Sequence, residues 1–288
     1  MGCPGVRGEV IWSEGHAGGS VSALDRGLHY GEGLFETIAC LERRPRFLAL
    51  HLERLALGCA RLGLPAPAAG RLRERIEQAA AAQPRAIIKV LLTRGPGESR
   101  GYRWGREAGT CVIMRFPWPD ADAAQRRAGA RVRIASTRLG ENPALAGMKH
   151  CNRLEQVLAA NEPGGAEADE ALMLSTSGRL ICGTMTNVFL IDGEASAVRV
   201  RTPAIRTCGV AGVMRRVVMR EAARAGLAVE ECAMRLEDLS AAREVFLTNA
   251  RVGLWPVRSL PGRELVPGAL TARLAALVRP LLEAPADG

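Results

Sequence analysis

The apolar run at residues 86–93 is the feature that most constrains the fold of this chain. It is rich in β-branched residues and bounded by Pro84 and Gly95, which is typical of a buried strand. Residues 48–62 carry leucines at helical spacing, and residues 70–82 show a second helical pattern. Further strands are predicted at residues 9–12, 33–41 and 110–116. Together these elements predict a first α/β unit.

The second half of the chain is richer in predicted strands. They lie at residues 131–137, 170–174, 180–192 and 243–248, with helices at 149–161, 210–226 and 268–282. Pro117, Pro119 and the charged stretch after them favour a linker, and the last residues resemble a disordered tail. We therefore predict two domains, residues 1–117 and 130–288, joined by a linker at 118–129.

Length and composition restrict the class of protein. A chain of 288 residues with 48% hydrophobic content can bury a sizeable core. It has no apolar stretch near the roughly 20 residues of a membrane span and no signal-peptide pattern, so we expect a cytoplasmic protein without membrane contact. Its eight cysteines form no CxxC pair and its four histidines form no HExxH pair, so neither a disulfide framework nor a metal site is expected.

The net charge of +9 favours anionic ligands. The arginines are spread through every segment, and the five Phe and two Tyr residues are not interleaved with basic clusters as a base-stacking surface requires. Small phosphorylated or carboxylated ligands therefore fit this distribution better than nucleic acid does.

Lysine is rare in this chain. Of 39 Lys and Arg residues only Lys89 and Lys149 are lysines. Arginine cannot be deprotonated, whereas a lysine amine can attack a carbonyl, so Lys149 at the start of a predicted helix indicates amine chemistry. Chance retention of a lysine there is the open alternative. Lys89 lies within an apolar strand and is predicted to be structural, as an ion-pair partner at a strand face.

Three further segments could bind anions. Residues 202–215 place two glycines at the start of a predicted helix, whose first amides can hold a phosphate, although an ordinary loop-to-helix turn shows the same pattern. His51 and Arg54 are three residues apart on a predicted helix, so Arg54 could bind an oxyanion. Arg94 and Arg100 flank a glycine-rich loop that could bind carboxylates or be simply solvated.

Several motifs together resemble a known enzyme family. The longest is LGENPALAGMKHCNRLEQVL at residues 139–158, and shorter ones are DRG at 25–27, YGEGLFET at 30–37, HLERL at 51–55, RGY at 100–102, DEAL at 169–172 and TNA at 248–250. They are similar to the fold-type IV (class IV aminotransferase-like) pyridoxal-phosphate enzymes, and the long motif resembles their aminodeoxychorismate lyase branch. The resemblance implies a mixed α/β (α+β) two-domain fold like that of D-amino-acid aminotransferases.

The resemblance also implies a set of residues for the cofactor, pyridoxal 5'-phosphate. Lys149 is then the Schiff-base lysine and Arg54 binds the cofactor phosphate. The backbone amides of Val213 and Met214 complete the phosphate site, and Asn249 is a further cofactor contact.

One position departs from the family pattern. In the family, a glutamate that pairs with the pyridine nitrogen stands five residues before the asparagine of an Asn-(apolar)-Phe signature. That signature is present here at 187–189. The glutamate position, however, is occupied by Cys182. Because a thiol is a weak hydrogen-bonding partner, a protonated ring is not expected. This favours a lyase, since formation of an aromatic product supplies driving force that a transaminase lacks.

The activity implied by the resemblance is conversion of 4-amino-4-deoxychorismate, a small dicarboxylate, to 4-aminobenzoate and pyruvate, towards folate, by a homodimer. Lys149 is the expected general base. Thr37 is a candidate hydroxyl relay, with a strand threonine facing the core as the open alternative, and Arg94 and Arg100 are candidates for the substrate carboxylates. The nearest alternative is an aminotransferase acting on D-amino or branched-chain amino acids, against which Cys182 and Asn249 argue. An arginine-rich nucleic-acid-binding protein is the alternative from another class.

Overall fold

The computed structural model describes residues 8–14, 20–97, 100–105, 108–119, 128–193 and 198–283. The chain divides into two compact units: unit 1 consists of Met1–Pro119, Met148–Asn152 and Glu283–Gly288, and unit 2 of Asp120–Gly147 and Arg153–Leu282. Most of the predicted linker at 118–129 and the predicted disordered tail lie outside the described residues.

Unit 1 is built on a five-stranded antiparallel sheet. Its strands are β1 Glu9–Glu14, β2 Gly33–Leu41, β3 Arg44–Pro45, β4 Arg85–Thr93 and β5 Thr110–Pro117, and its helices are α1 Arg26–Tyr30, α2 Leu48–Leu62 and α3 Ala69–Ala81. The strand order is β1-β5-β4-β2-β3. The apolar run at 86–93 is thus a strand, as predicted, and its backbone pairs with β2 on one side and with β5 on the other.

The two sides of this sheet differ in burial. Helix α2 packs against β2 with Leu48, Leu55 and Cys59 buried, and it ends at Gly63, whose φ of 57° is left-handed. Alternate side chains of β2, including Leu34, face this helix and are buried. Of the residues between them, Phe35, Thr37 and Leu41 are partly exposed on the other face. Period-2 alternation therefore gives unit 1 one packed face and one face that is accessible within the unit.

Unit 2 is built on a nine-stranded mixed sheet. Its strands are β6 Ala130–Ile134, β7 Glu170–Leu174, β8 Leu180–Gly183, β9 Asn187–Asp192, β10 Arg199–Pro203, β11 Ala228–Cys232, β12 Glu244–Asn249, β13 Gly253–Leu260 and β14 Arg263–Glu264. The order is β11-β10-β9-β12-β13-β6-β7-β8, with β14 paired to β13. The pairs β10–β11, β13–β6 and β6–β7 are parallel.

The helices of unit 2 are α4 Leu154–Ala160, α5 Val213–Arg224, α6 Leu236–Ala241 and α7 Ala269–Glu283. The core contains Leu172, Leu190 and Leu247, and Phe189 of β9 stacks on Phe246 of β12 with ring centroids 4.9 Å apart. The two units together form the mixed α+β fold that the sequence predicted.

The prediction of a helix at 149–161 is wrong at its N-terminal end. The helix begins at Leu154, and residues 148–152 are not helical and belong to unit 1, although their position in the sequence predicted the second domain. The reason is non-local, because the backbone of this segment pairs with β2. The strand predicted at 180–192 is two strands, and β10, β11 and β13 were not predicted.

Within the part of the chain that the structure describes, no helix is both long and apolar enough to cross a membrane.

Candidate functional site

Lys149 lies in the non-helical segment Met148–Asn152, beside the start of β2. Its carbonyl accepts a hydrogen bond from Phe35 N (2.9 Å), and Cys151 N donates to Gly33 O (2.9 Å). These two bonds satisfy backbone groups of a strand edge and fix the backbone of Lys149 against the sheet. The Lys149 side chain is therefore presented from a paired segment rather than from a helix.

The side chain of Lys149 shares one face of the sheet with three partly exposed residues. Phe35 and Thr37 are two residues apart on β2, and Lys89 of β4 is the direct antiparallel partner of Thr37, so all three side chains point to the same face. Lys149 Nζ lies 4.4 Å from the Phe35 ring centroid and Lys89 Nζ lies 5.4 Å from it. Both lysines of the chain therefore make cation–π contacts with one ring.

This geometry changes the interpretation of two residues. Thr37 does not face the buried side of the sheet under α2, so the alternative of a core-facing threonine does not hold. Lys89 has no ion pair among the described residues, contrary to the expectation of an ion-pair partner, and contacts Phe35 instead. The amine of Lys89 is thus a candidate functional group that the sequence interpretation missed.

On the opposite face of β2, a carboxylate meets two basic side chains of α2. Arg54 donates to Glu36 through Nε (2.8 Å to Oε1) and Nη2 (2.5 Å to Oε2), and His51 Nδ1 lies 2.7 Å from Glu36 Oε2. His51 and Arg54 therefore do lie on one face of α2, as predicted, and both side chains contact the Glu36 carboxylate. The candidate anion ligand Arg54 is held in a buried cluster rather than on an open helix surface.

Arg94 is buried, and its donors are used within unit 1. Nε donates to Glu32, Nη1 to Gly63 O (3.0 Å) and Nη2 to Leu62 O (2.7 Å), while its guanidinium lies 4.2 Å from the Trp104 ring centroid. Arg94 thus binds the carbonyls at the C-terminus of α2, where a cation is favourable. Its role as a substrate ligand stays a prediction from the sequence.

Arg100 is exposed in the loop that follows. The loop is anchored by Arg26, whose Nη1 and Nη2 donate to Gly101 O (2.8 Å) and Tyr102 O (3.2 Å). Arg100 therefore sits on a tethered loop with its guanidinium accessible in unit 1, which suits a carboxylate ligand.

In unit 2, Cys182 lies on β8 and is buried. Burial, together with the nearby Glu170 carboxylate, raises the pKa of the Cys182 thiol to about 12. Glu170 accepts hydrogen bonds from Thr184 Oγ1 (2.5 Å) and Thr186 Oγ1 (2.9 Å). Cys182 is therefore a neutral thiol at physiological pH and offers no negative charge to a partner.

Val213 and Met214 form the first turn of α5, whose N-cap is Gly212. A glycine has no side chain to cap the helix, and no side-chain cap is present here. A Cβ added at Gly212 would lie 2.1 Å from Asn187 Oδ1, while Asn187 Nδ2 donates to Val210 O (2.9 Å). The close approach of Asn187 thus fixes an uncapped helix start, which is a physically suitable anion site.

Thr248 adds a hydroxyl to the same part of unit 2. It is the antiparallel partner of Asn187, so the two side chains lie on one face of the sheet. Thr248 Oγ1 is buried and has no hydrogen-bond partner among the described residues. Because buried hydroxyls are normally hydrogen-bonded, this orphan donor beside the start of α5 suits an anionic ligand.

Asn249 follows Thr248 at the end of β12. Its Oδ1 accepts from Arg251 N (3.0 Å) and Val252 N (2.9 Å), which closes the turn to β13. Any ligand contact of the Asn249 side chain would therefore use its amide nitrogen.

The sequence interpretation missed Glu36, Lys89 and Thr248 as functional candidates. A sequence signal existed for Glu36 and Lys89, because a charged residue inside an apolar strand requires a partner or an accessible face. Thr248 gave no such signal, since an unpartnered hydroxyl is visible only after folding. Together the groups offer an amine for a carbonyl compound in unit 1 and an anion-binding helix start in unit 2.

Comparison with known proteins places the chain among enzymes. Residues 33–260 match the family described as amino-transferase class IV. Aminodeoxychorismate lyase from Vibrio harveyi is 34% identical over 270 residues, which cover 92% of this chain and 98% of that protein. Branched-chain-amino-acid aminotransferase from Pseudomonas aeruginosa is 27% identical over 283 residues, which cover 91% of this chain and 88% of that protein.

A solved structure shares the fold over nearly its whole length. The crystal structure of 4-amino-4-deoxychorismate lyase from Pseudomonas aeruginosa superposes with a TM-score of 0.88 at 38% identity, covering 95% of this chain and 99% of that chain. This likeness confirms the fold class that the motifs predicted.

Proposed function

The chain belongs to the class IV aminotransferase family, and we propose that within it the protein is a pyridoxal-phosphate-dependent lyase that converts 4-amino-4-deoxychorismate to 4-aminobenzoate and pyruvate. The observation that carries the proposal is Lys149, which is fixed beside β2 with its amine on the partly exposed face of the unit 1 sheet. The likeness to aminodeoxychorismate lyases over most of the chain supports this choice of reaction.

The residues present suit a phosphorylated aldehyde cofactor. Lys149 Nζ would hold the aldehyde carbon, and Arg54 would bind the phosphate. The amides of Val213 and Met214 and the orphan hydroxyl of Thr248 would bind phosphate oxygens in unit 2. Asn249 is a further proposed cofactor contact. When bound, pyridoxal phosphate withdraws electrons from the substrate carbon that bears the amine.

The acid–base work falls to Lys149. The amine of Lys149, free once the substrate amine has replaced it on the aldehyde, would take the proton from the substrate carbon bearing nitrogen, and the ring carbon–oxygen bond to the enolpyruvyl group would break as the ring becomes aromatic. The departing enolpyruvate gains a proton to become pyruvate, so one proton is removed and one is returned. Thr37, on the same face of β2 as Phe35, is the proposed hydroxyl relay for that proton.

The substrate carries two carboxylates, which call for cations near the reacting amine. Lys89 contacts the same ring as Lys149, and Arg100 lies on the tethered loop of unit 1. We propose that Lys89 and Arg100 bind substrate carboxylates.

Lys89→Met should raise KM for aminodeoxychorismate about tenfold and change kcat little, because a charge-assisted contact contributes roughly 1.5–3 kcal/mol. Steady-state kinetics measure the split between the two parameters. Lys89→Arg, which keeps the positive charge, is the matched control and should recover most of the loss. An unchanged KM in Lys89→Met would remove Lys89 from the substrate site.

Cys182 favours the lyase over the alternative in the same family, an aminotransferase for D-amino or branched-chain amino acids. A neutral thiol cannot stabilise a positive charge on the pyridine nitrogen, which a transaminase needs more than a lyase whose product is aromatic.

Cys182→Glu should therefore leave lyase turnover within about threefold of the wild type, which is under about 0.7 kcal/mol of activation free energy. It should lower stability by about 1–3 kcal/mol, because the new carboxylate would be buried near Glu170. Turnover and the free energy of unfolding are measured beside Cys182→Ser, which stays neutral. A many-fold rise in lyase turnover would mean that the ring proton matters for this reaction.

The proposal is tested by assaying the purified protein for 4-aminobenzoate and pyruvate from aminodeoxychorismate, and for glutamate from amino acid donors with 2-oxoglutarate. We expect the first pair of products in equal amounts and little glutamate. Sustained transamination without pyruvate release would assign the protein to the aminotransferases. The family resemblance also supports a cytoplasmic homodimer. Light scattering would measure its mass in solution.

A further inference from the structure

Glu36 is a buried carboxylate that contacts two side chains of α2 at once. It is 2% exposed and accepts from Arg54 at both oxygens and from His51 at one of them. Burial by itself would raise the pKa of Glu36, but the charge of Arg54 and the hydrogen bond from His51 lower it to about 2. Glu36 is therefore ionised at every physiological pH and forms a permanent ion pair with Arg54.

His51 completes the cluster without adding a charge. Burial lowers the pKa of His51, and although Glu36 opposes this, the charges of Arg54 and Lys149 lower it further. A neutral imidazole donates its Nδ1 proton to Glu36, which leaves Nε2 as an acceptor, and Nε2 is buried without a partner among the described residues. His51 thus fixes the orientation of the carboxylate and leaves the full charge of Glu36 facing Arg54.

The contact between Glu36 and Arg54 has two points. Nε and Nη2 of one guanidinium edge bind the two oxygens, which fixes the plane of the guanidinium as well as its position. A flexible arginine loses roughly 2 kcal/mol of side-chain entropy when it is held in one orientation. Because Glu36 already holds Arg54 in the folded protein, ligand binding does not incur this loss again. Buried ion pairs contribute little net stability, which makes stabilisation alone a weak explanation for the cluster.

We propose that Glu36 is a positioning residue, braced by His51, that orients the guanidinium of Arg54 for the phosphate of the cofactor. The inference rests on the proposed function for the identity of the anion. Independently of that identity, we expect the orientation of the Arg54 guanidinium to depend on Glu36, and no motif of the sequence indicated this dependence.

The test is a double-mutant cycle on cofactor binding to the apoprotein. Affinities for pyridoxal 5'-phosphate and for pyridoxal, which lacks the phosphate, are measured for the wild type, Glu36→Gln, Arg54→Ala and the double variant. We expect Glu36→Gln to weaken binding of the phosphorylated form about tenfold and of pyridoxal less than twofold, and to have no further effect in the Arg54→Ala background. A merely structural residue would lower both affinities alike.

Equal losses for the two ligands, or independent effects of Glu36→Gln and Arg54→Ala, would overturn the inference. If Glu36→Gln does not fold, Glu36→Asp keeps the charge but shortens the reach, and His51→Gln removes the brace. Either variant should lose affinity for pyridoxal 5'-phosphate but not for pyridoxal. Equal losses of affinity for both ligands in the variants that fold would overturn the inference as well. Coupling without lyase activity would refute only the proposed reaction, whereas lyase activity without coupling would refute only the role of Glu36.

Discussion

Lys149→Ala should lose the visible chromophore of the cofactor and lower the release of 4-aminobenzoate by roughly 10⁴-fold, the upper end of what a general base contributes. Both losses follow from one atom, because Nζ is the proposed attachment point of the aldehyde and the proposed acceptor of the substrate proton. Absorption spectra and turnover are measured on the same preparations.

Two controls separate amine chemistry from charge. Lys149→Arg keeps a cation over the Phe35 ring but cannot be deprotonated, so it should be as inactive as Lys149→Ala. Lys89→Ala removes the other lysine of the chain and should keep the chromophore, because Lys89 is proposed to bind the substrate rather than the cofactor. A chromophore in Lys149→Arg at wild-type intensity would contradict the assignment of Lys149.

Gly212→Ala should lower the free energy of unfolding by about 1–3 kcal/mol, as expected for an added methyl group in a packed site, and weaken binding of pyridoxal 5'-phosphate about tenfold. The added Cβ would lie 2.1 Å from Asn187 Oδ1, so either the start of α5 or Asn187 must move. That movement would displace the amides of Val213 and Met214. Denaturant unfolding and cofactor titration measure the two effects.

Gly70→Ala is the matched control for this substitution. Gly70 lies in α3, and a Cβ added there has no neighbour within 4 Å, so the change should stabilise the protein by about 0.5–1 kcal/mol and leave cofactor affinity unchanged. If Gly212→Ala behaved in the same way, the close approach of Asn187 would not restrict the helix start, and the proposed phosphate site would lose its main support in unit 2.

Local patterns were sufficient for many elements of the fold. The bounds of α2, β2 and β7 follow from hydrophobic spacing and from turn residues such as Gly63, because those signals act within a few residues of the chain. Strands β10 and β11 are short, carry two charged residues each and were missed, since their pairing depends on neighbours that are distant in sequence.

The site shows the same division between local and non-local information. The rarity of lysine and the motif around Lys149 made it the proposed reactive residue, but its backbone is not helical because it pairs with β2, more than a hundred residues earlier in the chain. The bond between Glu36 and Arg54, and the shared ring of Lys89 and Lys149, likewise require the folded sheet. Spacing along the chain could predict the shared face of His51 and Arg54 but not their partner.

Reduction of the protein with borohydride in the presence of pyridoxal 5'-phosphate, followed by peptide mapping of the adduct, shows which amine holds the aldehyde. The chain has two lysines, so the result is unambiguous. We expect one reduced cofactor adduct, on Lys149, and a protein that no longer releases 4-aminobenzoate. An adduct on Lys89 alone, or no adduct in a protein that still converts aminodeoxychorismate at full rate, would contradict this expectation.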